Sequence, residues 1–229
     1  MAGYFSTSTG KKFLMAVSGA ALFGFIVAHL AGNLQIFEGQ EAINRYSLFL
    51  KSLGELLWAA RIGLLAMVGI HIWTSVQLTL ENKAARPVAY AEKKFIEAST
   101  ASRTMIWSGT IILVFIIFHL MHYTFMTVHP EYRNLVDAQG RHDVYSMMVL
   151  GFQQPAISIF YIAAIFLLCF HLSHGIYSMF QSLGLQNDKI RACLLKWAPR
   201  IAWLIFLGYA SIPSAVLAGI VKLPPGVSP

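Results

Sequence analysis

Apolar residues along this chain gather into five long blocks separated by polar connections, at about residues 13–36, 56–80, 104–128, 155–183 and 201–221. An α-helix rises about 1.5 Å per residue and needs roughly 20 mainly apolar residues to cross the hydrocarbon layer; each block is long enough. Helix is the conformation that fits, because backbone amides in lipid must be paired within the segment and the period-two alternation of barrel strands is missing. The pattern therefore predicts an all-α bundle of five transmembrane helices forming a single membrane domain over residues 1–229. Pro155 suits the first turn of the fourth span, and Pro213 inside the fifth should kink it. The first block follows Lys11 and Lys12, as in a signal peptide, but it is longer than such an apolar core and more spans follow, so it reads as the first transmembrane helix.

The polar connections set orientation. One side holds Lys11, Lys12, Lys83, Arg86, Lys93, Lys94, Arg103, Lys189, Arg191, Lys196 and Arg200. The other holds only Arg45, Lys51, Arg133, Arg141 and Lys222, with Arg61 just inside the second span. Positive charge is retained on the cytoplasmic side, which predicts the N-terminus inside and the C-terminus outside. The longest outer connection, 129–154, contains RHDVYSMMVLGF, expected to lie as an amphipathic helix at the interface. The inner connection ENKAARPVAYAEKKFIEASTASR reads equally as a solvated face or a docking surface. No internal repeat or low-complexity tract is evident.

Composition sharpens this picture in two places. With 57% hydrophobic and 12% charged residues the chain is an integral membrane protein. Its net charge of +7 is not a nucleic-acid patch, because the basic residues flank the apolar blocks. Cys169 lies within a span and Cys193 in a polar connection, so two free thiols are expected.

The chemistry lies in histidine. Ionisable side chains are costly at bilayer depth and usually face the bundle interior for a functional reason. Four spans each carry at least one: His29 in GFIVAHLAGN, His71 in MVGIHIWTS, His119 in IIFHLMHYTF and His171 in LLCFHLSHG. His29 stands 17 residues beyond Lys12 and His119 16 beyond Arg103, roughly 24–26 Å from the inner edge. His71 stands 10 residues before Glu81 and His171 about 12 before the end of its span, roughly 15–18 Å from that edge. Only the pairs His29 with His119 and His71 with His171 match in height. Two imidazoles at each of two levels suit two haems stacked across the membrane, each iron held axially and left with no open site, so that it carries single electrons.

A lone histidine hydrogen-bonded between helices is the plainer reading of any one of these. A zinc or proton-relay site competes for the set, but no Asp or Glu lies deep in a span to assist it. His122 and His174 follow the third- and fourth-span histidines by three residues; they read as donors to propionates or hydroxyls, or as the ligands themselves. His129 and His142 read as solvated loop residues. Met67, Met121 and Met126 read as packing residues, and Gly19, Gly24, Gly63 and Gly69 as points of close approach for a helix or a flat macrocycle.

AHLAGNLQIF, ARIGLLAMVGIHIW with LTLENKAARPVAY, IIFHLMHY and FHLSHGIYSMF together resemble the five-helix, two-haem cytochrome b subunit of succinate dehydrogenases and fumarate reductases, over essentially the whole chain. The resemblance implies an outer haem b on His29 and His119 and an inner haem b on His71 and His171. It also implies an inner-face iron–sulfur subunit carrying an FAD flavoprotein, menaquinone as the membrane substrate, and a bacterial cytoplasmic membrane. Dicarboxylate chemistry would lie off this chain. Some fumarate reductases of the group place a glutamate two residues before the fourth-span ligand for compensating proton transfer; here that position is Cys169. Candidate quinone contacts are Glu55, Arg61 and Asn33. The reading is the anchor of a succinate:menaquinone oxidoreductase; rivals are a fumarate reductase running in the quinol-oxidising direction, the cytochrome b subunit of another membrane dehydrogenase, and a haem-free histidine-lined channel or transporter.

Overall fold

The computed structural model describes residues 3–85 and 100–227. Eight helices follow one another: α1 (Ser8–Leu34), α2 (Gln40–Ser52), α3 (Glu55–Ala84), the single turn α4 (Thr100–Arg103), α5 (Met105–His119), α6 (Val144–Phe152), α7 (Pro155–Ser182) and α8 (Asp188–Leu217). No strand occurs among the described residues. Five stretches are long and apolar enough to cross a membrane: Ser8–Glu38, Glu55–Ala84, Met105–Thr124, Pro155–Ser182 and Asp188–Leu217. The five-helix, all-α expectation holds. The inner connection read from the sequence falls largely on residues 86–99, outside the described residues.

Local chemistry sets the boundaries. The Thr7 hydroxyl accepts from the Gly10 amide to start α1, Asp143 accepts from the Ser146 amide to start α6, and Asn187 accepts from the Ile190 amide to start α8. Each supplies an acceptor that the first helical turn lacks. Gly39 (φ 100°) and Gly54 (φ 52°) bracket α2 in conformations that side chains with a Cβ avoid. Pro155 does open α7. Helix α8 begins well before residue 201, because Lys189, Arg191, Lys196 and Arg200 occupy its first turns and depress its hydropathy without disfavouring helix; it runs on through Pro199 and Pro213.

Helices α1 and α7 form the centre of the bundle: α1 packs on α3 and α7, α7 on α5, and α8 covers α7 and α1. The diagonals, α1 to α5 and α3 to α7, do not pack closely among the described residues. At the end where α1 begins, the near end, Lys11 pairs with Glu81 across α1 and α3. The far end is closed by α2 and α6.

That cap corrects the reading of RHDVYSMMVLGF. Every residue of α6 except half-buried Val144 is buried, so the segment is not an interfacial helix but a plug packed on α2, α7 and α8. Its polar start is absorbed by a buried network: Asn44 donates to Asp137 and Asp143, both at 3.0 Å, and accepts the Tyr145 amide at 3.0 Å. Gln40 and Ser146 also donate to Asp143, at 2.8 and 2.5 Å. Arg141 bridges Asp137 to Glu41. Around it pack Ile36, Ile43, Met148, Val149, Phe152, Tyr161, Ile212 and Val216.

Candidate functional site

The two diagonals that the backbones leave open are spanned by imidazoles. His29 of α1 and His119 of α5 meet with ring centres 5.9 Å apart; His71 of α3 and His171 of α7 meet at 6.2 Å. These are the partners that depth along the spans predicts. Two imidazoles on opposite sides of one metal, at roughly 2.0–2.1 Å per bond, have ring centres roughly 6 Å apart. No group of three or more His, Cys, Asp or Glu placed to hold a metal ion occurs among the described residues. A four-coordinate zinc held by protein alone does not fit that donor set.

In three of the four rings Nδ1 has a hydrogen-bonding neighbour. His71 Nδ1 lies 3.3 Å from the Ser18 hydroxyl and 3.3 Å from the Met15 carbonyl, both on α1. His171 Nδ1 lies 3.3 Å from the Ser108 hydroxyl on α5. His119 Nδ1 lies 3.3 Å from the Tyr161 hydroxyl on α7. His29 is held by stacking on Phe25, ring centres 5.2 Å apart and 17° from parallel. A ring whose Nδ1 is held elsewhere keeps Nε2 for a metal, the usual arrangement of a ligating histidine.

His122 is fully buried, in a π-helical turn, Leu120–Thr124, that continues α5. Its Nδ1 lies 3.0 Å from the same Tyr161 hydroxyl, so that hydroxyl joins His122 to His119. Its Nε2 and the Tyr123 hydroxyl find no partner among the described residues. His174 is half-buried one turn along α7 from His171.

Several expectations change. His129 and His142 are half-buried rather than solvated: His129 bonds Glu131 at 2.8 Å and stacks on Tyr132, and His142 bonds the Leu135 carbonyl at 3.2 Å. Burial pushes the Tyr132 hydroxyl up to about 12 and, with Lys51, lowers His142 below the ordinary histidine value. Asn33, a candidate quinone contact, donates its amide to the His29 carbonyl of its own helix at 2.6 Å. Met126 packs beside Tyr132 and Met147, whereas Met121 is exposed. Glu55 is exposed, and exposed Arg61 lies over the Trp58 ring, 5.1 Å from its centre. Cys169 packs against Ala198, Ala202 and Ile205, and both thiols are free.

Ser18, Ser108 and Tyr161 were not singled out by sequence. The serines do carry a signal: Ser18-Gly19 precedes His29-Leu30, and Ser108-Gly109 precedes His119-Leu120, at the same eleven-residue interval. This is an internal repeat that the hydropathy pattern hides.

Five apolar helices with ionisable groups paired in their interior define a multi-pass membrane protein with a polar centre. Residues 86–207 match the family of the succinate dehydrogenase/fumarate reductase transmembrane subunit, and the chain belongs to that family. It is thus a membrane subunit that associates with the other subunits of such an oxidoreductase. No curated protein and no solved structure matches the chain.

Proposed function

We propose that this chain is the di-haem cytochrome b anchor of a succinate:menaquinone oxidoreductase, with His29 and His119 holding an outer haem b and His71 and His171 an inner one. The observation that carries the reading is the two levels of facing imidazoles, 5.9 and 6.2 Å apart, each across a diagonal that the helices leave open. Neutral imidazole with its second nitrogen held suits a ligand that adds no charge to the lipid. Haem b held by two imidazoles exchanges single electrons and offers no open coordination site.

The chain's other groups serve that wire. Tyr161 orients His119 and His122, and His122 and His174 stand one turn from the ligands as donors toward propionates. Glu55, Arg61 and Asn33 at the far end are the polar groups offered to quinone. The near end, rich in Lys and Arg, is the cytoplasmic face that docks an iron–sulfur subunit and, through it, the FAD flavoprotein. The whole chain acts as one domain in a bacterial cytoplasmic membrane, with its N-terminus inside. The polarity rests on the excess of Lys and Arg in the near-end connections.

The test is haem content and redox titration of the purified complex. His71→Ala or His171→Ala is expected to leave one haem of two and to disconnect quinone from the iron–sulfur protein. His29→Ala is expected to leave the other haem in place. Two haems retained in His71→Ala, or none in the parent complex, would contradict the reading.

A further inference from the structure

The inner pair is seated twice in the same way. Ser18 and Ser108 are 1% and 4% exposed, and each faces the Nδ1 of an imidazole on the neighbouring helix at 3.3 Å. The residue after each is glycine, and a Cβ there would stand 3.3 Å from His71 Cε1 at Gly19 and 3.6 Å from His171 Cε1 at Gly109. Eleven residues make just over three whole turns at about 3.6 residues per turn. Each serine therefore shares a helix face with the outer-pair histidine that follows it, and α1 and α5 each serve both levels.

The protons can be assigned. A serine hydroxyl has one proton, and Ser18 gives it to its own helix, 2.8 Å from the Leu14 carbonyl and 3.1 Å from that of Met15. Ser108 does the same toward the Met105 carbonyl at 3.1 Å. Toward the imidazoles both oxygens are thus acceptors. The Met15 carbonyl, 3.3 Å from His71 Nδ1, can only accept. Nδ1 of His71 therefore carries the hydrogen and its Nε2 is left as a lone pair, and Ser108, bonded to its own helix in the same way, stands as acceptor to His171.

We infer that Ser18 and Ser108 are positioning residues for the inner haem: each accepts Nδ1–H from the ligand opposite, fixing its tautomer and plane and raising its basicity toward iron. This rests on the reading of His71 and His171 as axial ligands. Serine bonded to its own helix is common and by itself idle. Here the arrangement recurs with the same partner atom, distance and neighbouring glycine on two helices, which chance helix bonding does not explain. A more basic imidazole favours ferric over ferrous iron, so removing the acceptor raises the midpoint potential.

The experiment uses the intact complex with S18A, S108A, the double variant, and S18T and S108T, read by haem content, low-temperature EPR and redox titration. The titration wave that disappears in His71→Ala identifies the inner haem. Each alanine is expected to keep two haems and raise the inner potential by the equivalent of about tenfold in ferric-to-ferrous preference, about 59 mV for one electron, with the outer wave unmoved. The double variant is expected to lose the inner haem and keep the outer one, and threonine to restore the parent values. Two haems in the parent complex with an unmoved inner wave in both alanine variants overturn the inference alone. Fewer than two haems in the parent complex, or an inner wave surviving His71→Ala, overturns the ligand reading with it.

Discussion

Asp143 shows how a single buried side chain holds the far end together. It is 1% exposed and takes hydrogen bonds from Ser146, Asn44 and Gln40, so its charge is met by donors from both α2 and α6. Burial alone would push its carboxyl up, but these donors outweigh it and hold it below the ordinary aspartate range. A carboxyl depressed in the folded state stabilises fully above its unfolded value, about 3.9, and the contribution is lost as pH falls through the lower folded value. Asp143→Ala leaves the donors of Asn44, Gln40 and Ser146 without their acceptor and is expected to cost about 1–3 kcal/mol. Thermal unfolding of the purified complex at neutral pH measures that cost. Hydrogen-exchange protection at the start of α6, taken relative to an unstructured peptide at each pH, should fall below about 3.9 in the parent protein and fall less in Asp143→Asn.

At the scale of elements, the contact between α6 and the π-helical turn after α5 is tightest at Gly151. A Cβ there would collide with the Tyr123 hydroxyl and stand 3.0 Å from His122 Cε1, and His122 is fully buried. Gly151→Ala is expected to destabilise by about 1–3 kcal/mol through overpacking. Because His122 shares Tyr161 with His119, the signal of the haem proposed on His29 and His119 should broaden or fall while that of the haem proposed on His71 and His171 persists. Unchanged melting and spectra would show that the turn has slack. The five spans were legible in the sequence because membrane thickness imposes a length that few other constraints imitate. The cap was not: hydropathy cannot distinguish a helix lying on lipid from one whose polar start is satisfied by Asn44 and Arg141, residues brought there by the fold. The imidazole pairs were legible because depth is a count of residues along a helix. Their serine seats were overlooked because four matching residues in an apolar background change no hydropathy value, and Tyr161 left no pattern at all.

For the whole molecule, the question is which face meets which compartment. Trp58, Ile62, Leu65, Trp107, Leu204 and Leu207 are each more than 60% exposed, an apolar belt suited to lipid between the two ends. Because α7 ends and α8 begins at the near end, exposed Cys193 stands on the same side as Lys11 and the N-terminus. The other thiol, Cys169, is 3% exposed between α7 and α8, so one cysteine reports orientation without engineering. With the near end cytoplasmic, a membrane-impermeant maleimide should leave the chain unlabelled in intact cells. It should label it in inverted vesicles stripped of peripheral subunits, and C193S should abolish that signal. Restoring the hydrophilic subunits before labelling should slow it if their docking surface reaches the start of α8, where Lys189, Lys196 and Arg200 offer positive charge to an acidic partner face. Labelling of Cys193 in intact cells would reverse the orientation and place the imidazole pair nearer the iron–sulfur protein at His29 and His119 instead of His71 and His171.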